Sequence, residues 1–314
     1  MNPLSAIYGS LVGARNALYG GGLLAARRLE GPVISVGNLS AGGSGKTPFV
    51  ILLGELLKAQ GVAFDILSRG YGRQSRGVLL VDPGGQPRDF GDEPLLITRK
   101  LQVPVIVGED RYAAGRFTEA KFGPQVHLLD DGFQHRALAR DFDIVLVTPQ
   151  DANDQVLPAG RLREPLKSLH RADAVVLAGG ASADSFPLEG KAVWRVRRGI
   201  VPREIPPRPV VFCGIARPQN FVLQLRTANI DPVAEAFYRD HHFYTEKDVR
   251  ELLALRQRSE AGGFVTTEKD AINLGAYASA LTPLAIVPVK MDLQDAANAL
   301  DTMLRTIEER RRNA

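Results

Sequence analysis

The run Ser40-Ala41-Gly42-Gly43-Ser44-Gly45-Lys46-Thr47 contains the residue types needed to hold a chain of phosphates. Its glycines let the backbone fold tightly, so that successive N–H groups turn inward toward anionic oxygens. Lys46 brings a positive charge to the β- and γ-phosphates, and the Thr47 hydroxyl can ligate Mg²⁺. The run departs from the G-x-x-x-x-G-K-[ST] pattern: Ser40 occupies the place of the first glycine, and Gly37 lies three residues too early to replace it. Context carries the reading. The apolar run Val33-Ile34-Ser35-Val36 precedes the loop and a helical pattern through Leu57 follows it, which is the strand–loop–helix order that a phosphate loop requires. A glycine-rich turn that ends by chance in Gly-Lys-Thr is the competing reading, and these flanks weigh against it.

A second constellation has the chemistry to hold the metal. Val126-His127-Leu128-Leu129 is largely apolar and runs directly into Asp130 and Asp131. Carboxylates at the carboxyl end of a buried strand stand at the edge where ligands bind in open α/β sheets. A single aspartate there would be an ordinary turn residue. Two adjacent carboxylates repel each other, and a cation relieves the repulsion.

The elements that must position these groups are legible as short apolar runs. Val62 to Leu67, Val78 to Val81, Val103 to Val107, Ile144 to Val147 and Ala174 to Leu177 join the two strands already named, with helical patterns between several of them. Runs apolar on both faces that alternate with helices predict a P-loop NTPase-like, mostly parallel sheet covered by helices on both faces. Near Lys191 the pattern changes to an alternation of Val193, Trp194 and Val196 with Arg195, Arg197 and Arg198, followed by Pro202, Pro206, Pro207 and Pro209. A domain boundary is expected there. The predicted partition is an amphipathic, membrane-facing segment over 1–29, a P-loop domain over 30–200 ending in a linker strand, and a second, smaller α/β domain over 201–314.

Composition narrows the setting. A length of 314 residues suits two domains. The lone Cys213 rules out an intramolecular disulfide and, within Val210-Val211-Phe212-Cys213, reads as a buried core residue. A net charge of +4 is too weak to imply nucleic acid and fits a phosphorylated or anionic lipid partner equally well. The chain shows no apolar run long enough to span a bilayer and no secretory signal, so a cytoplasmic protein is expected. Met1 to Leu29 contains no acidic residue, while Leu4, Ile7, Leu11, Ala14 and Leu18 recur at helical steps beside Arg15, Arg27 and Arg28. Such a segment can lie on an anionic membrane surface or pack on its own domain.

These segments resemble the tetraacyldisaccharide 4′-kinases. The likeness runs through Ser35 to Pro48, including the missing first glycine, and through Ser68-Arg69-Gly70-Tyr71-Gly72-Arg73 and Gly91-Asp92-Glu93-Pro94. It continues through Leu129-Asp130-Asp131-Gly132-Phe133-Gln134-His135, Leu157 to Pro165, Asp240-His241-His242 and Thr266-Thr267-Glu268-Lys269-Asp270. The resemblance implies a kinase that uses ATP and Mg²⁺ to phosphorylate the 4′-hydroxyl of a tetraacylated glucosamine disaccharide 1-phosphate. It further implies a monomer working peripherally at the cytoplasmic face of the bacterial inner membrane, with the site in a cleft between two α/β/α domains.

The resemblance also distributes roles. A sugar hydroxyl is a weak nucleophile and needs a positioned proton acceptor. Asp92 is assigned that task, although the bare sequence would favour a helix N-cap. His241 is assigned to orient Asp92 or share its proton, and either His241 or His242 could face the site. Lys46 and Asp131 complete the catalytic set, and Thr47, Asp130 and Asp131 the metal set. Arg69, Arg111 and Arg163 are the expected phosphate grips, with Tyr71, Glu93, Gln134 and His135 as further contacts. A regulatory P-loop NTPase is the alternative, but that group carries a lysine where this chain has Ala41.

Overall fold

Strands apolar on both faces need cover on both, and this chain supplies it with helices threaded between them. The computed structural model describes residues 3–313. Met1, Asn2 and Ala314, the outermost residues of the first and last expected segments, lie outside the described residues. Helix α1 (Pro3–Gly20) leads to β1 (Val33–Asn38) and α2 (Lys46–Ala59), which flank the glycine-rich loop. Then come β2 (Phe64–Ser68), β3 (Leu79–Leu80), α3 (Pro87–Phe90), α4 (Asp92–Leu101), β4 (Val105–Val107) and α5 (Arg111–Phe122). The first domain continues with β5 (Val126–Asp130), β6 (Phe142–Val147), β7 (Ala174–Leu177) and β8 (Ala192–Ile200). Beyond the prolines lie β9 (Pro209–Cys213), α6 (Pro218–Thr227), β10 (Ala234–Phe237), α7 (Glu246–Arg258), β11 (Gly263–Thr267), α8 (Glu268–Leu274) and β12 (Leu284–Val287). The chain ends in β13 (Val289–Leu293) and α9 (Ala296–Arg312).

The larger sheet has nine strands in the order β13-β8-β7-β6-β1-β5-β2-β4-β3, parallel except where β13 and β3 close its edges. β1 lies between β6 and β5, so the loop leaving it opens at the centre of the sheet's carboxyl edge. Asp130 ends the neighbouring strand, in register with Val36. A four-stranded parallel sheet, β10-β9-β11-β12, forms the second layer system, with Cys213 buried in it.

The single boundary expected between residues 200 and 201 needs correction. β13 pairs antiparallel with β8, placing Met291 opposite Arg198, and Leu300, Met303 and Ile307 of α9 join the core of the larger sheet. Residues 289–312 therefore return to the first domain. The chain crosses twice, and the crossings touch where the Val201 N–H donates to the Pro288 carbonyl at 3.0 Å. A local pattern identifies an element but not the sheet it joins, so the return left no separate mark in the sequence.

α1 is built with its polar face inward. Ser5 is buried and its hydroxyl accepts from the Ala159 N–H at 3.1 Å; Asn16 donates to Glu164 at 2.7 Å and its carbonyl accepts from Arg136 at 2.7 Å. The stripe of Ile7, Leu11 and Leu18 faces outward, 59 %, 66 % and 41 % exposed.

Candidate active site

The phosphate loop is shaped by three left-handed glycines, Gly42, Gly43 and Gly45, with φ of 72°, 67° and 85°. An L side chain at these positions would strain the turn. Ser40 lies outside the left-handed part and needs no such freedom, which explains why a glycine is dispensable there. The loop entrance is tied down instead: the Ala41 N–H donates to the Arg161 carbonyl at 2.8 Å, and the Arg163 N–H donates to the Leu39 carbonyl at 2.6 Å. The Ser44 hydroxyl is buried with no hydrogen-bond partner among the described residues.

Next to the loop, the two adjacent aspartates have opposite electrostatics. Burial raises the pKa of Asp131, but the charge of Lys46 and the bond and charge of Arg163 outweigh it and hold the carboxyl well below the usual range. Arg163 grips Asp131 as a fork at 2.9 and 2.8 Å, and Lys46 lies 3.5 Å away. Lys46 also donates to Asn38 Oδ1 at 3.0 Å, an oxygen that Arg163 shares. Asp130 has no such cation fork. Burial, with the charges of Glu93 and Asp131, pushes its pKa up to about 7. One of its oxygens accepts from the Ser68 hydroxyl at 3.1 Å, and the other is buried without a partner among the described residues. A divalent cation fits this donor set: Thr47, Asp130 and Asp131 border one cleft, and Asp130 has a buried oxygen to spare.

Asp92 is the first residue of α4 rather than its N-cap, which is Gly91. His241 follows β10 in a left-handed turn, φ 58°, and its Nδ1 lies 3.0 Å from both Asp92 oxygens. The Glu93 N–H and Asn273 Nδ2 donate to the same carboxylate at 2.9 and 3.0 Å. Burial would raise the Asp92 pKa, but the His241 bond, the Lys269 and His241 charges and the Asn273 bond bring it below its ordinary value. Asp92 is 3 % exposed and lies behind His241, which lines the cleft. His242 turns away, 3.1 Å from Asp248 and stacked on Tyr238. His241 is thus the histidine that faces the cleft.

The family profile described as LpxK, tetraacyldisaccharide-1-P 4′-kinase, matches residues 1–308. The chain belongs to this family. A tetraacyldisaccharide 4′-kinase of Koribacter versatilis is 50 % identical, with 99 % of each chain covered, and one of Geobacter metallireducens is 38 % identical over 93 % of each. The crystal structure of LpxK from Aquifex aeolicus in complex with ATP superposes with a TM-score of 0.79 at 35 % identity, covering 97 % of both chains.

In this tetraacyldisaccharide 4′-kinase family member the cleft between the two sheets measures about 870 Å³. Lys46, Thr47, Arg69, Tyr71, Glu93, Asp130, Asp131, Arg163 and His241 line it. Arg111, Gln134 and His135 do not, contrary to their expected place among the substrate contacts. Arg111 is buried and donates to the carbonyls of Gly108 and Glu109 at 3.1 and 3.0 Å. Gln134 donates to the Asn38 carbonyl at 3.0 Å, bracing the strand that feeds the loop. His135 is half-buried, its pKa pushed down to about 4 by burial and by the Arg111 charge. Sequence reasoning gave no role to Asn38, Asp240, Lys269 or Asn273. Lys269 and Asn273 stand one helical turn apart on α8, a spacing that marks a common face but not what that face meets.

Because the Asp92 pKa is depressed, the stability it contributes is present above the unfolded carboxylate pKa of ~3.9 and is lost as pH falls through the lower folded value. Asp92→Asn should therefore destabilise the protein at pH 7. The difference from wild type should shrink as urea denaturation is repeated at progressively lower pH in the acid range.

Proposed function

We propose that this chain transfers the γ-phosphate of ATP to the 4′-hydroxyl of a tetraacylated glucosamine disaccharide 1-phosphate, giving the bis-phosphorylated lipid A precursor. The observation that carries the reading is the meeting, in one cleft, of a phosphate loop from the larger sheet and a carboxylate–imidazole pair that bridges both sheets. Membership of the tetraacyldisaccharide 4′-kinase family supports the same acceptor.

The loop N–H groups and Lys46 hold the phosphate chain, and the charge that develops on the transferred group is stabilised by cations already in place. Thr47, Asp130 and Asp131 would hold Mg²⁺, which when bound neutralises phosphate charge. Asp92 and His241 act as one pair that takes the proton of the attacking hydroxyl; Asn273 and the Glu93 N–H fix the carboxylate so that the ring keeps one orientation. Arg69 lines the cleft and in this reading would meet a phosphate of the acceptor or donor. Incubation with γ-labelled ATP and the tetraacyldisaccharide 1-phosphate, with products resolved by mass, tests the reading: lipid should gain one phosphate. Lys46→Ala should lower that turnover by about 10²-fold or more, the scale of losing one preorganised electrostatic contact. Near-normal turnover in the folded variant would refute the loop's role.

The acceptor's four acyl chains keep it in a bilayer, since each methylene buried there is worth ~0.8 kcal/mol. No helix of the described residues is long and apolar enough to cross a membrane. In this reading the protein works as a monomer at the cytoplasmic face of the inner membrane, with the outward stripe of α1 set into the lipid. The apolar face carries this contact more than the arginines do. Arg27 pairs with Asp110 at 2.6 Å, Arg28 with Asp141 at 3.1 Å, and Arg15 donates to the Gln134 carbonyl at 3.2 Å. Ile7→Asn with Leu11→Asn should weaken co-sedimentation with anionic vesicles and raise the apparent KM for vesicle-borne lipid, leaving the melting temperature unchanged. A sharp fall in melting temperature with vesicle affinity intact would show instead that the stripe serves packing.

A further inference from the structure

Lys269, near the start of α8, stands where the carboxylate–imidazole pair meets the cleft. Its Nζ lies 3.2 Å from His241 Nε2 and 3.2 Å from Asp240 Oδ1. It is 3.5 Å from Glu93 Oε1 and 3.8 Å from Asp92 Oδ2. Lysine offers three donors and no acceptor. Burial pulls its pKa down, but the charges of Glu93, Asp92 and Asp240 prevail and hold it above the ordinary value, so it is an ammonium. An ammonium facing a ring nitrogen at 3.2 Å can face only a lone pair. Nε2 is therefore the bare nitrogen, and the ring's single proton sits on Nδ1, 3.0 Å from the Asp92 carboxylate.

The surroundings make that state demanding. Asp92 reaches the ring from α4, Asp240 from the adjoining turn and Lys269 from α8; Glu93 of α4 acts on it through its charge, and Tyr71 packs its ring 5.0 Å from the imidazole. Three carboxylates favour an imidazolium, and a doubly protonated ring can accept nothing further. Burial lowers the His241 pKa; the bond and charge of Asp92 raise it and prevail, Glu93 adds to the rise, and Lys269 is the neighbour whose charge opposes it.

We propose that Lys269 is a positioning residue that sets the proton inventory of the Asp92–His241 pair: its ammonium opposes the second protonation that the carboxylates favour and holds the Nε2 lone pair of the ring protonated on Nδ1, so that the pair can accept one proton from the acceptor hydroxyl. This rests on the kinase reading above. When the pair takes that proton, the imidazolium repels the ammonium, and Asp240 and Glu93 already stand within 3.5 Å to receive it.

The test compares the pH dependence of kcat/KM for vesicle-borne acceptor in wild type, Lys269→Met and Lys269→Arg, with ¹⁵N-histidine spectra of the ligand-free proteins. Loss of the ammonium should move the acid limb of Lys269→Met to higher pH. On that limb its kcat/KM should fall about tenfold or more below wild type, while the two converge to within about threefold on the alkaline plateau. Lys269→Arg should restore the wild-type limb. In the spectra, the signal lost in His241→Gln should show an unprotonated Nε2 in wild type and should protonate at higher pH in Lys269→Met. Should Lys269→Met fail to fold, Lys269→Gln gives the same readouts. A uniform loss of activity with an unmoved limb and an unmoved His241 titration would overturn the proposal and leave Lys269 a packing residue. Wild-type turnover in Asp92→Asn would instead sink the pair's role in phosphoryl transfer, and the spectra would still decide what Lys269 does to the ring.

Discussion

The hydrogen bond between His241 and Asp92 joins two sheets that share no strand. It ties the turn after β10 to the first residue of α4, and His241 brings it to the wall of the cleft that the phosphate loop also lines. A proton acceptor for a sugar hydroxyl has to stand within hydrogen-bond reach of the attacking oxygen, on the side away from the leaving group. The double crossing of the chain, with Val201 bonded to Pro288, gives the two domains a shared seam along which such a contact can be held.

Around that contact the cleft is an unequal distribution of charge. Asp131 is held by Lys46 and Arg163, and Asp92 by His241 and Asn273, so both carboxylates stay ionised despite burial. Asp130 is left short of partners, and its pKa rises to about 7 because burial and the charges of Glu93 and Asp131 act together. Preorganised charge of this kind is what phosphoryl transfer needs, since the protein contributes position and electrostatics rather than covalent chemistry.

The parts of this site written in contiguous residues were legible in the sequence. The phosphate loop follows from Gly42 to Thr47 and its flanking strand and helix, and the aspartate pair from a strand that ends in two carboxylates. Other parts depend on contacts between residues far apart in the chain. Asn273 bonds Asp92 across 181 positions, and no periodicity records such a pairing. The stripe on α1 was visible as Leu4, Ile7, Leu11 and Leu18, but spacing alone does not say which face of a helix is covered; the polar bonds of Ser5 and Asn16 do. Arg111 was expected in the cleft because arginines in loops bind phosphate, yet its place at the start of α5 brings two carbonyls within reach first. The segment that forms β13 was simply included in the expected second domain, 201–314, because a local pattern does not say which sheet a strand joins.

The most direct measurement is a double-mutant cycle across the cleft, with Asp92→Asn, His241→Gln and the pair combined, read as kcat/KM for acceptor phosphorylation. If the two side chains act as one proton-accepting unit, each single change should collapse turnover and the double variant should be about as impaired as the worse single. Losses that multiply, each residue contributing independently of the other, would contradict the unit on which the site is built.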